Sequence, residues 1–104
     1  MKRYEIILHE KAEAELDQLY EDVAIRAGIT IAGNYVAGIY EFIEKLAIFP
    51  ERGTIREGNV PGLRIIGYRG SASIAFFVRD DKVTVLGVFY RGQNITSEML
   101  EERL

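Results

Sequence analysis

Residues 46–94 read LAIFPERGTIREGNVPGLRIIGYRGSASIAFFVRDDKVTVLGVFYRGQN, and the reading of this stretch decides the fold. It opens on the end of a helix, holds Pro50 and Pro61, and then alternates short apolar runs with turn residues. Leu63 to Tyr68 sets Leu63 and Ile65 against Arg64, Ile66 and Tyr68, the period of two of a half-buried strand. Arg69-Gly70-Ser71 reads as a turn. Ala72 to Arg79 places Ile74, Phe76 and Val78 on one face and Ala75, Phe77 and Arg79 on the other. Asp80-Asp81 reads as a hairpin turn. Lys82 to Tyr90 is the most apolar strand, and apolar residues on both of its faces predict a central place in the sheet. Residues 51–62, with three glycines and Pro61, read as a loop. Arg91-Gly92-Gln93-Asn94 breaks the last strand.

Working outward, Tyr4-Glu5-Ile6-Ile7-Leu8 is a short strand with Tyr4, Ile6 and Leu8 on one face. Ala12, Leu16, Leu19, Tyr20, Val23 and Ala27 follow at helical spacing, and Glu13, Glu15, Asp17, Glu21 and Asp22 are expected on the outward face. His9 stands where a cap for that helix belongs, and Gly28 where it ends. A second stripe, Tyr35, Ile39, Phe42, Ile43, Leu46 and Phe49, predicts a second helix capped by Thr30 and stopped by Pro50. Phe42 and Phe49 are expected in the core. Gly33 and Gly38 each cost about 1 kcal/mol relative to alanine inside a helix, so close approach of another backbone is expected there. Beyond the strands, residues 95–104 suit a final helix capped by Thr96 or Ser97. The order β-α-α-β-β-β gives an α+β domain spanning 1–104, a helical hairpin packed on a small, mostly antiparallel sheet.

Composition narrows the function classes. At 104 residues, 48% apolar and 28% charged, the chain has the makeup of a soluble globular protein. Without cysteine it forms neither a disulfide framework nor a thiolate metal site, and a single histidine argues against zinc. No metal and no cofactor are expected. Neither a signal-peptide core nor an apolar run of roughly 20 residues is present, so a cytoplasmic location with no membrane contact is expected.

The net charge of −3 is distributed unevenly. Residues 1–51 carry 5 Lys/Arg against 10 Asp/Glu, residues 52–79 carry 5 against 1, and residues 80–104 carry 3 against 5. A basic strand half beside an acidic helical half points either to an acidic partner on the strands or to solvated charges on a mixed surface. Chains that live by binding phosphate backbone are more basic overall. Asp17 and Glu21 share a helix face, but without a polar pocket they serve as solubilising charges rather than as an acid/base pair.

Over residues 4–94 the chain resembles the ParE branch of the RelE/ParE toxins of bacterial type II toxin–antitoxin systems. The resemblance is carried by the first strand running straight into the Ala12–Tyr20 helix and by Leu46-Ala47-Ile48-Phe49-Pro50-Glu51-Arg52-Gly53. Pro61-Gly62-Leu63-Arg64 and the closing run Val83 to Gly92 complete it. RelE-like members cut messenger RNA on the ribosome, without metal, through basic residues and an acid/base group. Arg91 matches one of their basic positions. Gln93-Asn94-Ile95-Thr96-Ser97 offers no Tyr, His, Glu or Asp where their catalytic tyrosine falls, and Ala72-Ser73-Ile74 lacks their arginine.

The resemblance therefore implies a ParE-like binding poison of DNA gyrase, with no catalytic residue, associated with plasmid stabilisation. Arg64, Arg69, Arg79, Tyr90 and Arg91 are the candidate target contacts; the alternative is that Tyr90 packs on the sheet and the arginines lie over the strands. A cognate antitoxin is implied as partner, in a toxin–antitoxin hetero-oligomer that meets operator DNA only through the antitoxin. Tyr20, Tyr35 and Tyr40 are the candidate antitoxin contacts, in the groove between the helical hairpin and the strands. Two alternatives stand beside this reading. One is a RelE-like ribosome-dependent endonuclease with an atypical site, the other a non-toxic member that only binds.

Overall fold

The computed structural model describes residues 2–91 and 93–104. Gly92, read above as part of the break after the last strand, lies outside the described residues, as does Met1. The chain runs β1 (Glu5–Leu8), α1 (Glu10–Ala27), α2 (Ile29–Lys45), β2 (Thr54–Ile55), β3 (Arg64–Tyr68), β4 (Ala72–Arg79), β5 (Lys82–Tyr90) and α3 (Ser97–Glu101). One sheet takes the order β1-β5-β4-β3-β2, with β1 parallel to β5 and every other pair antiparallel. The two-residue edge strand β2 lies within the stretch expected to be loop. It is the only departure in strand count among the described residues.

Alternation assigns the two faces as the sequence predicts. Ile74, Phe76, Val83, Val85 and Val88 pack beneath Ala12, Leu16, Leu19, Ile39 and Ile43 of the hairpin. Full burial of a side chain such as Leu16, Ile39 or Phe76 contributes about 1.5–3 kcal/mol. The opposite face carries Leu63, Ala75, Leu86 and Phe89, covered by Val60 from the loop and Leu100 from α3. The tight turns need positive φ, and Arg69 (50°), Gly70 (67°), Asp80 (53°) and Asp81 (63°) supply it. β5 is central only as far as Leu8↔Val85, where β1 ends. From Leu86 to Tyr90 its outer edge has no neighbouring strand.

The helix ends differ from expectation in two places. His9 caps α1 as read, its Nδ1 accepting from the Lys11 N–H at 3.0 Å. Gly28, with φ of 94°, is the single residue between the helices and caps α2 as well, so Thr30 already lies inside the first turn. α2 stops at Lys45, before Pro50 can act, because residues 46–48 tighten into i→i−3 bonds and the Ala47 carbonyl accepts from the Tyr4 N–H at 2.7 Å. Phe49 falls beyond that stop and is 60% exposed, not core. Gly38 does admit a close approach, but by the Tyr68 hydroxyl rather than by backbone, while a Cβ at Gly33 would meet open space. Thr96 caps α3 by accepting from the Met99 N–H at 3.2 Å.

Candidate functional site

Three elements converge at one end of the sheet. The β3–β4 turn brings Arg69 and Ser71 to the finish of β5, where the Arg91 N–H donates to the Ser71 carbonyl at 2.8 Å. From α2, Tyr35 reaches down so that its hydroxyl meets Ser71 Oγ at 2.5 Å. Its ring stands edge-on to Tyr68 (5.7 Å) and to Tyr90 (6.1 Å), and Phe42 stands edge-on to Tyr68 at 5.4 Å. Edge-to-face contacts of this kind add about 0.5–1.5 kcal/mol beyond area burial. The tyrosines thus fix the sheet end against the helix above it.

Around this end lies a cleft of about 240 Å³ whose polar lining comes from Ser71, Ser73, Tyr90, Arg91 and Gln93. Its lining holds no carboxylate and no histidine. Such a surface can donate hydrogen bonds and bind an anion, and the Tyr90 phenol is the one acid/base side chain among its described lining residues. Arg91 lies 5.4 Å from the centre of the Tyr90 ring, and Arg69 the same distance from that of Tyr68. Ion–ring contacts hold both guanidiniums over aromatic faces.

Only part of the candidate target set meets here. Arg69, Tyr90 and Arg91 share this end of the sheet. Arg79 lies opposite Lys82 at the β4–β5 turn, with its guanidinium 4.9 Å from the Phe77 ring. Arg64 opposes Phe76, also toward that far end. Measured along β4 at ~3.3 Å per residue, Arg79 lies about 23 Å and Arg64, opposite Phe76, about 13 Å from the Ala72 end where the other three meet. The three tyrosines named for the antitoxin groove divide as well. Tyr35 is inside the aromatic cluster, whereas Tyr20 (37%) and Tyr40 (38%) are exposed on the hairpin. Burial, then the nearby carboxylates of Asp17 and Glu13, raise the Tyr40 phenol above its ordinary 10.0.

A second cleft, of about 450 Å³, opens between α1 and the unpaired edge of β5. Glu15, Gln18, Asp22, Ile25 and Arg26 line it from the helix, and Val88, Tyr90 and Arg91 from the strand. Glu15 does not face outward as its place among acidic residues suggests. Its carboxylate accepts from the Val88 N–H at 3.0 Å and from Arg103, which is 8% exposed. Spacing held the clue: Glu15 stands three residues after Ala12 and four before Leu19, on the flank of the buried stripe. Arg26, three after Val23, shares that flank, and its guanidinium lies 5.2 Å from the Tyr90 ring.

Among the described residues, no group of three or more His, Cys, Asp or Glu side chains is placed to hold a metal ion. No helix of the described residues is long and apolar enough to cross a membrane.

Known proteins carry the same architecture. The chromosomal ParDE toxin–antitoxin system of P. aeruginosa contains a chain 26% identical, with a TM-score of 0.73 over 85% of this chain and 96% of that one. The toxin–antitoxin complex RelBE2 of Mycobacterium tuberculosis is similar at 21% identity and a TM-score of 0.67, covering 89% and 97% of the two chains. A double mutant of the E. coli toxin RelE in the free state is similar at 19% identity and a TM-score of 0.61, covering 97% and 94%. The last two likenesses concern the fold. Among curated proteins none matches the chain in sequence. The family model described as the ParE toxin of the type II toxin–antitoxin system, parDE, matches residues 6–95, and the chain belongs to that family.

Proposed function

We propose that this ParE-type toxin arrests growth by binding DNA gyrase and is neutralised by a cognate antitoxin. The observation that supports a binding poison over a nuclease is the polar lining of the sheet-end cleft: two serines, a glutamine, a tyrosine and an arginine, with no carboxylate or histidine. Metal-free cleavage of RNA needs a group to take the ribose 2′-hydroxyl proton and cations to hold the phosphate. Arg91 and Arg69 meet the second need, and no carboxylate or imidazole in the lining meets the first. The two arginines stand over tyrosine rings, where they present charge and apolar surface together, as hot-spot residues of protein interfaces do. The toxin–antitoxin complexes with this fold support an antitoxin partner.

Induced expression tests both halves. Supercoiling by gyrase, bulk translation and growth are followed together, with and without a co-expressed antitoxin. Growth arrest with supercoiling inhibited and translation intact, reversed by the antitoxin, is the expected result. Arrest with cleaved transcripts and normal supercoiling overturns it in favour of a ribosome-dependent endonuclease. That outcome would make Tyr90 the first candidate for the missing acid/base group, since Arg26 and Arg91 flank its ring.

A further inference from the structure

Ser71 ties together the sheet end that carries Arg69 and Arg91. Its carbonyl accepts the Arg91 N–H at 2.8 Å, its own N–H donates to the Tyr68 carbonyl at 3.0 Å, and its Oγ lies 3.4 Å from that same carbonyl. When Ser71 Oγ donates to Tyr68, the Tyr35 hydroxyl 2.5 Å away is the donor to Ser71, and a chain of bonds runs from α2 into the β3–β4 turn. Local structure alone holds neither arginine in place. Arg69 sits in the left-handed region, at φ 50°, which disfavours any residue with a Cβ. Arg91 follows the Ala72↔Tyr90 pair that closes the β4–β5 ladder, and end rungs are the first to open. Resting on the gyrase reading above, we propose that Tyr35 is a positioning residue for target binding: its hydroxyl, acting through Ser71, holds Arg69 and Arg91 in the mutual arrangement the target meets, without itself touching the target.

The hydroxyl carries this role, and the ring a separate one. The ring stands edge-on to Tyr68 at 5.7 Å and to Tyr90 at 6.1 Å, contacts that phenylalanine preserves. Tyr68 and Tyr90 are also the rings beside the Arg69 and Arg91 guanidiniums, each 5.4 Å from its ring centre. One side chain therefore buttresses both rings that the two arginines lie over and, through its oxygen, ties the backbone between them. Tyr35 and Ser71 stand 36 residues apart, so the bond joins α2 to the sheet rather than closing a local turn. It is half-buried, where water competes with it less than at the surface. A target that engages both cations binds more tightly when their relative position is set beforehand, because ordering them no longer opposes binding.

The test uses the purified full chain as wild type, Tyr35→Phe, Ser71→Ala and the double variant. Inhibition of gyrase supercoiling is measured for each, with thermal melting as the folding control. Hydrogen exchange of the Arg91 amide is followed in the toxin alone. Tyr35→Phe and Ser71→Ala are each expected to weaken inhibition about two- to tenfold, the range of one ordinary hydrogen bond. The double variant should be no weaker than Ser71→Ala, because both changes cut the same tether. Exchange at Arg91 should quicken in Tyr35→Phe while amides in the middle of the β4–β5 ladder keep their wild-type rates; a merely structural role would quicken them all. Inhibition unchanged in folded Tyr35→Phe overturns the positioning role and leaves the gyrase reading intact. Weaker inhibition with Arg91 exchange unchanged overturns it as well, since the hydroxyl then meets the target directly. A uniform rise in exchange across β4 and β5 overturns it in favour of general destabilisation. Wild type that leaves supercoiling untouched overturns the gyrase reading and the role with it.

Discussion

Glu15 on α1 and Arg103 after α3 form a two-pronged ion pair, with Arg103 Nη1 and Nη2 at 3.0 and 2.9 Å from the carboxylate oxygens. Each partner also holds backbone of β5, where β1 has ended: Glu15 takes the Val88 N–H, and Arg103 Nη1 donates to the Leu86 carbonyl at 2.8 Å. Gly87 leaves room for this, since a Cβ there would sit 2.6 Å from Arg103 Nη1. The pair closes a sheet edge that would otherwise expose unpaired groups, and it fastens the C-terminal segment to the first helix.

Removing one partner should therefore cost more than an exposed ion pair does. Arg103→Ala and Glu15→Ala are each expected to destabilise the fold by about 3 kcal/mol, because each strands the other charge and a β5 backbone group. The double replacement Glu15→Leu/Arg103→Met should be more stable than either single variant. Urea unfolding decides it. Single losses under about 1 kcal/mol, the range of exposed pairs, would show that water substitutes freely at this edge.

Gly33 and Gly38 both lie within α2 but should respond oppositely to alanine. Gly33 meets open space, so Gly33→Ala should gain up to about 1 kcal/mol from helix propensity. A Cβ at Gly38 would collide with the Tyr68 hydroxyl, so Gly38→Ala should destabilise despite the same propensity gain. Adding Tyr68→Phe removes the colliding oxygen and should restore most of the loss. Melting temperatures of the four proteins test this; a Gly38→Ala variant as stable as Gly33→Ala refutes it.

Alkaline titration should report on Tyr40. Its folded pKa lies above the 10.0 of an unfolded tyrosine, through burial first and the Asp17 and Glu13 charges second. The folded state then holds the proton longer than the unfolded state does, so stability falls as pH rises from about 10 through the folded value. Tyr40→Phe should lose stability less steeply across that window. Phenolate absorbance should show a late-titrating component that is missing from the variant. Identical alkaline profiles would sink the assignment.

How much of this was legible depended on whether a residue acts within its own element. Strand faces, the Asp80-Asp81 turn, the His9 cap and the central place of β5 follow from alternation and turn chemistry, all local. The two-residue β2 has too few side chains to show a period. Thr30 and Pro50 carry genuine cap and stop chemistry, but Gly28 and the Ala47–Tyr4 bond act first. Glu15 was misplaced because its partner is 88 residues away, and a buried charge looks like a solvated one until that partner is found. Likewise, Arg64, Arg69, Arg79, Tyr90 and Arg91 read as one surface, although a full strand length separates Arg79, and about half of one Arg64, from the end where Arg69 and Arg91 meet.

That separation yields a functional expectation. If the target docks at the sheet end built from the β3–β4 turn and the finish of β5, Arg69→Ala and Arg91→Ala should each weaken gyrase inhibition on the order of tenfold, the loss typical of an interface hot spot. Arg79→Ala, about 23 Å from that end at ~3.3 Å per residue, should cost much less, and Arg64→Ala, about 13 Å from it, should fall between. All four side chains are exposed or half-buried, so the variants should fold and their melting temperatures should stay close to wild type. Inhibition of supercoiling by each purified variant, set against its melting curve, compares the two ends directly. A larger loss at Arg64 or Arg79 would move the working surface to the β4–β5 turn. Equal losses at all four would instead favour a general electrostatic attraction, which rising salt would abolish for every variant alike.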